Sequence, residues 1–315
     1  MKLLFVRFSS FGDVILTTGI MNYVSRMLPE AEIDVMTYKQ YAPVFDNLPF
    51  VHNVIDYDRS KGLKEYLYVV QNETEDHDYI FDLHRKLRSV FLKFHSQAEY
   101  HHYKKDSKAR RDFVRKGKDS PRLHMHVVQK YLEPVLSPLG LVMPDIDELR
   151  PVLIRHVERD EKRVFIHPFA SKNTKTYPYA RELAELLIKN GLTPVFAGMG
   201  KAPETDGIVD ETGRKKLADM LDIIASCGSA VSSDSGPMHA AIGLGLPTVG
   251  IFGSTTKHFG FYPAFDNCIM LEDNRVNCRP CDVHGLDKCP ENHFSCMKNL
   301  TPDKVLDNLK KLIGT

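Results

Sequence analysis

Tryptophan is absent from all 315 residues, and no apolar run reaches the length of a membrane-spanning helix. Net charge is nearly absent too: 42 Lys and Arg against 41 Asp and Glu leave +1. The whole chain therefore makes no electrostatic case for nucleic acid. No signal peptide is readable, because Met1-Lys2-Leu3-Leu4-Phe5-Val6-Arg7 is too short and too soon charged. That start reads as a strand, and the expected location is the cytosol. No G-x-G-x-x-G follows this strand, which disfavours a plain NAD dehydrogenase. No internal repeat marks a solenoid.

What is present is a globular composition, 43% hydrophobic, in a length that fits one large or two ordinary domains. Leu3 to Phe8 reads as a buried strand, Ser9 to Asp13 as a turn, and Val14 to Leu28 as a helix that Pro29 ends. Ile33 to Tyr38, Val51 to Tyr57 and Tyr79 to Leu83 read as further strands, with a helix at Lys64 to Val70. Strands alternating with helices argue a parallel sheet covered on both faces. Leu139 to Arg150, with Pro138 and Pro144, reads as a linker. A second α/β series follows, with strands at Val164 to Phe169 and Pro194 to Ala197 and helices at Tyr179 to Lys189 and Leu217 to Cys227. The expected fold class is thus α/β, with two doubly wound domains at 1–150 and 151–315 and a cleft between them for ligands.

The stretch Val231 to Gly253 scans as strand, tight turn, helix, turn, strand. Ser233, Asp234, Ser235 and Gly236 fall where the strand should stop, and Pro237 suits a helix's first turn. A helix start there offers free N–H groups and partial positive charge to a phosphate. An ordinary capped helix, with Asp234 or Ser235 as the N-cap, explains the same residues.

Residues 85–130 hold 14 Lys/Arg against 4 Asp/Glu, with Arg110, Arg111 and Arg115 close together. This excess reads as a site for an anionic partner, such as phosphorylated groups or an anionic membrane surface. A solvated, mobile arm is the alternative. Cys278, Cys281, Cys289 and Cys296 form C-x2-C-x7-C-x6-C, a spacing that suits a structural zinc; free thiols or local disulfides are the alternatives. Cys227 and Cys268 read as core residues.

Together these residues resemble glycosyltransferase family 9, the ADP-heptose:lipopolysaccharide heptosyltransferases. The resemblance rests on Val6-Arg7-Phe8-Ser9-Ser10-Phe11-Gly12-Asp13-Val14 and on Asp234-Ser235-Gly236-Pro237-Met238-His239. His167 to Ser171 with Lys175, Tyr177 and Pro178, and the Cys-rich loop before Leu300 to Val305, also match. Tyr177 stands where the family often carries Trp, and Ala170 where it carries Thr. The family implies a GT-B fold of two Rossmann-like domains. It implies transfer of heptose from an ADP-sugar donor to a lipopolysaccharide precursor, with inversion, no catalytic cofactor, and peripheral contact with the inner membrane. On that resemblance Asp13 is the expected general base, and Ser9, Ser10 and Gly12 join Arg110, Arg111 and Arg115 on the acceptor side. Ser171, Lys175, Asp234, Ser235, Gly236 and His239 are expected on the donor, with Glu204 on its ribose. The last helix is expected to pack back on the N-terminal domain. A nucleotide-sugar epimerase or hydrolase of the same fold, or a non-catalytic nucleotide-sugar sensor, are the competing functions.

Overall fold

Leu3, Leu4, Phe5 and Val6 are an unbroken apolar run, and all four are buried in a central strand. A strand covered on both faces needs such a run rather than alternation. The structure is a computed structural model that describes residues 1–213 and 216–314. It divides into two compact units, one of residues 1–105 and 127–154, the other of 106–126 and 155–315.

In chain order the elements of the first unit are β1 (Lys2–Val6), α1 (Phe11–Met27), β2 (Glu32–Tyr38), β3 (Asn53–Tyr57), α2 (Gly62–Glu73), β4 (Tyr79–Asp82), α3 (Leu87–Phe91) and β5 (Glu99–His102). After α4 (Ser107–Lys116), which belongs to the second unit, α5 (Val127–Leu136) returns to the first. The five strands run parallel in the order β3-β2-β1-β4-β5. The order reverses between β1 and β4, and ligands of such sheets bind beyond the strand ends at that reversal.

The second unit continues with β6 (Asp160–His167), α6 (Ala180–Lys189), β7 (Thr193–Gly198), β8 (Val209–Thr212), α7 (Leu217–Ala225) and β9 (Cys227–Ser233). Then come α8 (Gly236–Gly243), β10 (Thr248–Phe252), β11 (Cys268–Glu272), α9 (Ser295–Lys298) and α10 (Pro302–Ile313). Its six strands are parallel in the order β11-β10-β9-β6-β7-β8, reversing between β6 and β9. Both units are therefore doubly wound α/β domains.

Three expectations change. Residues 139–150 are not a loose linker: Leu149 is fully buried, and Gly19 of α1 lets the Leu149 and Arg150 carbonyls approach so closely that an added Cβ would lie 2.2 and 2.6 Å from them. The basic stretch 85–130 is not one arm either. It contains β5, α3 and α4 and is split between the units, with 106–126 in the second rather than the N-terminal domain. The last helix, α10, spends its buried stripe of Val305, Leu306 and Leu309 on the second unit's own core, beside Leu183, Leu187 and Val249.

Candidate functional site

In the first unit the site is built on the turn between β1 and α1. Ser10 is extended and caps α1, so Asp13 stands at the third helical position and not at the N-cap. The pair forms a capping box, with the Asp13 carboxylate accepting from the Ser10 backbone N–H at 3.1 Å. The same Oδ2 accepts from Ser10 Oγ at 2.6 Å and from Arg7 at 2.8 Å. Oδ1 accepts from the Tyr131 hydroxyl of α5 at 2.5 Å. Arg7 lies over the Tyr131 ring, 4.9 Å from its centre. Arg7 and Asp13 side chains are 9% and 13% exposed, so this is a sheltered ion pair rather than a surface one.

Burial alone would raise the Asp13 carboxyl; the Arg7 charge and the hydrogen bonds from Ser10 and Tyr131 outweigh it and hold it at about 2. Asp13 is thus ionised at every physiological pH. Burial raises the Tyr131 phenol, and the Asp13 charge adds to it, so Tyr131 stays a proton donor to the carboxylate. Tyr131 carried no sequence signal, since an aromatic residue at helical spacing reads as core. It is indeed buried.

At the end of β4, buried Asp82 orders the turn that follows. It accepts from the backbone N–H groups of His84 at 2.8 Å and Arg85 at 2.7 Å, and from Tyr100 Oη at 2.6 Å. Lys105 reaches back to the Arg85 carbonyl at 3.0 Å. Burial pushes the His84 imidazole down to about 3, and the charges of Arg7, Lys86 and Lys105 push the same way. A cluster of cations therefore gathers at the β1–β4 reversal, around a neutral His84. Sequence reading missed it because Arg85, Lys86 and Lys105 are separated by β5 and were merged into one basic stretch.

Arg110, Arg111 and Arg115, expected on the acceptor side of the N-terminal domain, sit on α4 in the second unit. Arg110 packs over the Phe261 ring at 5.2 Å, while Arg111 and Arg115 are exposed.

In the second unit the reversal between β6 and β9 carries the expected donor residues. Ser235 caps α8, and Pro237 lies in its first turn, as the sequence suggested. The Ser235 hydroxyl meets His167 Nδ1 at 3.1 Å, joining the ends of β9 and β6. Burial pushes the His167 imidazole down to about 4, so it is neutral near pH 7. Gly198, with φ +120°, ends β7 against it, and a Cβ there would fall 2.8 Å from His167 Nε2. Asp234 Oδ2 accepts from Lys175 Nζ at 2.8 Å and from Thr255 Oγ1 at 2.7 Å. These contacts leave the Asp234–Lys175 pair mostly sheltered. Lys175 is held by its own turn, which is pinned where Thr174 Oγ1 meets Ser254 Oγ at 3.0 Å and accepts from Leu286 N at 2.7 Å.

Other expected residues stand apart from this group. Ser171 is exposed on the loop after β6. Glu204 is 88% exposed and ion-paired to Lys201 at 3.0 Å. His239 is 4% exposed inside α8, which fits a core histidine. None of the six cysteines forms a disulfide. Cys278 Sγ is 3.7 Å from His293 Nε2. Burial pushes the Cys281 thiol up to about 11, with the Cys278, Cys296 and Cys289 sulfurs adding to it. Among the described residues the four sulfurs do not gather within 4.8 Å of one another. No described helix is long and apolar enough to cross a membrane.

Residues 72–286 match the family model described as glycosyltransferase family 9 (heptosyltransferase). The chain is 23% identical to lipooligosaccharide heptosyltransferase 2 of Haemophilus influenzae, with 100% of each chain covered. It is 20% identical to lipopolysaccharide heptosyltransferase 1 of Campylobacter coli, covering 100% of this chain and 99% of that one. Among solved structures, the E. coli heptosyltransferase WaaC with ADP-2-deoxy-2-fluoro heptose superposes with a TM-score of 0.71 at 18% identity, covering 99% of both chains. That likeness is one of fold, which is α/β and of GT-B type.

Proposed function

From the premise that the chain belongs to glycosyltransferase family 9, we propose that it transfers heptose from ADP-heptose to the inner core of a lipopolysaccharide precursor. The observation that carries this is the pairing of chemistries at the two sheet reversals. One holds a sheltered carboxylate beside cations. The other holds a helix start beside the Lys175–Asp234 ion pair. The first suits an anionic sugar acceptor, and the second a sugar diphosphate.

The transfer inverts the anomeric carbon. The acceptor oxygen bonds to that carbon as its bond to the diphosphate oxygen breaks. The acceptor's proton goes to Asp13, and ADP leaves with the electron pair. A carboxylate at about 2 is a weak base at rest. It serves because the acceptor hydroxyl becomes strongly acidic as its oxygen bonds to carbon, so its proton passes to the carboxylate late in the transfer. The leaving diphosphate takes N–H groups after Ser235 and the Lys175 charge, without a catalytic metal. Asp234 and Thr255 hold Lys175 in place. Ser9 and Gly12 shape the acceptor turn. Ser171 and Glu204 complete the donor contacts in this reading, Glu204 by exchanging its surface ion pair with Lys201 for the ribose hydroxyls. A structural zinc on Cys278, Cys281, Cys289 and Cys296 belongs to this reading: the donor set is soft and unpaired, and binding would draw the sulfurs together. Peripheral contact with the inner membrane follows from a lipid-borne acceptor.

Isothermal titration tests the donor. ADP and ADP-heptose are expected to bind, and UDP-sugars to bind at least about tenfold more weakly; equal binding would point to the epimerase class. A second measurement tests the acceptor cations. Changing Lys86 and Lys105 together to Gln is expected to raise the acceptor KM about tenfold, with less salt sensitivity and unchanged ADP affinity. The triple change of Arg110, Arg111 and Arg115 is run beside it. An acceptor KM that moves only in the triple variant would transfer the acceptor role to α4.

A further inference from the structure

Two segments far apart in sequence meet on the second unit, outside the donor group. One is the turn after α4, and the other is the short turn Lys257–Phe259 after β10. There Asp119, His124 and His258 bring their ligand atoms within 4.8 Å of one another. No other trio of His, Cys, Asp or Glu among the described residues gathers so closely. His124 Nε2 lies 2.7 Å from Asp119 Oδ2. The Asp119 carboxylate is oriented by the Ser120 N–H, which its Oδ1 accepts at 2.7 Å. The His124 and His258 rings meet edge to face at 5.2 Å. His258 Nδ1 is engaged by Thr256 Oγ1 at 3.0 Å, and the Phe113 ring covers the imidazole at 4.5 Å. A partner on one ring nitrogen fixes which nitrogen is left for a metal.

We propose that Asp119, His124 and His258 bind a divalent transition metal ion, with zinc as the reference ion. Two imidazoles and one carboxylate are a borderline donor set that suits zinc, with water completing the coordination. Tetrahedral bonds of about 2.0–2.2 Å place neighbouring ligand atoms roughly 3.3–3.6 Å apart. The Asp119–His124 pair, now hydrogen-bonded at 2.7 Å, opens by roughly 0.6–0.9 Å to admit the ion, and half-buried His258 turns toward it. The ion ties the α4 segment to the loop after β10. That loop also carries Thr255, which holds Asp234 at 2.7 Å. Occupancy therefore braces the loop beside the donor group. The site stands independently of which sugar the chain transfers.

The test is competition of Zn2+ against a chromophoric chelator in the full-length protein, repeated with Co2+ for its spectrum. With the cysteine cluster removed by Cys278→Ser, a cobalt site is expected to remain and to carry no thiolate charge-transfer bands. His124→Gln and His258→Gln are each expected to weaken that site at least about tenfold with melting temperatures unchanged. Zn2+ is also expected to slow trypsin cleavage after Lys116 and Lys118 in the wild type but not in His258→Gln. Asp119→Asn, which keeps the side-chain shape, gives a second affinity reading. Unchanged metal affinity in all three variants would overturn the proposal. So would metal binding that carries thiolate bands and is lost only in Cys278→Ser.

Discussion

Asp13→Asn is expected to lower kcat by about a hundredfold to ten-thousandfold while ADP-heptose affinity stays near wild type. Asn keeps the shape of the side chain but cannot take the acceptor's proton. The same change also costs stability, because Arg7 is 9% exposed and loses its carboxylate at 2.8 Å. Leaving a sheltered charge unpaired costs about 3–5 kcal/mol, so the melting temperature falls as well. The double variant Arg7→Met with Asp13→Asn separates these effects. It removes both charges and is expected to regain much of the lost stability without regaining activity. Recovery of kcat to within about tenfold of Arg7→Met alone would make Asp13 a structural partner of Arg7 and nothing more.

The ionisation of Asp13 adds a signature. Its carboxyl is held at about 2 in the folded chain, below the ordinary value of 3.8. A depressed carboxyl stabilises the fold above the unfolded value and loses that contribution as pH falls toward the folded one. The pair therefore helps fully above about pH 4, and its contribution fades between about pH 4 and 2. Between about pH 5 and 8, kcat/KM is expected to carry no acid limb from Asp13. An acid limb near neutrality in the wild type that vanishes in a histidine variant would assign the base elsewhere.

Gly236→Val is the second large effect. Gly236 opens α8 directly after the Ser235 cap, where free N–H groups would receive the diphosphate. A β-branched side chain there blocks the approach of phosphate oxygens. Charge-assisted hydrogen bonds are worth about 1.5–3 kcal/mol, so ADP affinity is expected to fall by roughly tenfold to a hundredfold. Lys175→Ala is expected to act in the same direction and to lower kcat further than it raises the ADP dissociation constant. Circular dichroism keeps the result readable, because α8 is buried and Val could disturb its packing. A folded Gly236→Val variant with wild-type ADP affinity would remove the diphosphate from this helix start.

The strands that carry the sites were legible because they lie mid-sheet. β10 and all of β1 but Lys2 are buried and read as short apolar runs, as do Val164, Phe165 and Ile166 of β6 and Ala230 and Val231 of the buried β9. β5 and β8 were missed because each has four residues, Glu99–His102 and Val209–Thr212, and sits at a sheet edge with polar side chains. β11 was missed too, as an edge strand between long loops. The site turns were readable from Gly-Asp and Ser-Gly-Pro spacing, since capping and helix starts are local. The helix still begins earlier than read, at Phe11 rather than Val14, because Ser10 supplies the cap and Asp13 falls at its third position. Arg7, Tyr131 and Lys105 were not readable as a site. Their meeting depends on the reversal of strand order and on the return of α5 to the first unit, neither of which leaves a local pattern. The opposite error arose at 139–150, where prolines and acids suggested a linker while Gly19 made room for a packed segment.

The most direct measurement is mass spectrometry with NMR on the product formed from ADP-heptose and a lipopolysaccharide inner-core acceptor. Acceptor plus one heptose is expected, with released ADP in equal amount and an anomeric configuration opposite to that of the donor. Free heptose with unmodified acceptor, or a product that keeps the donor's configuration, would contradict it.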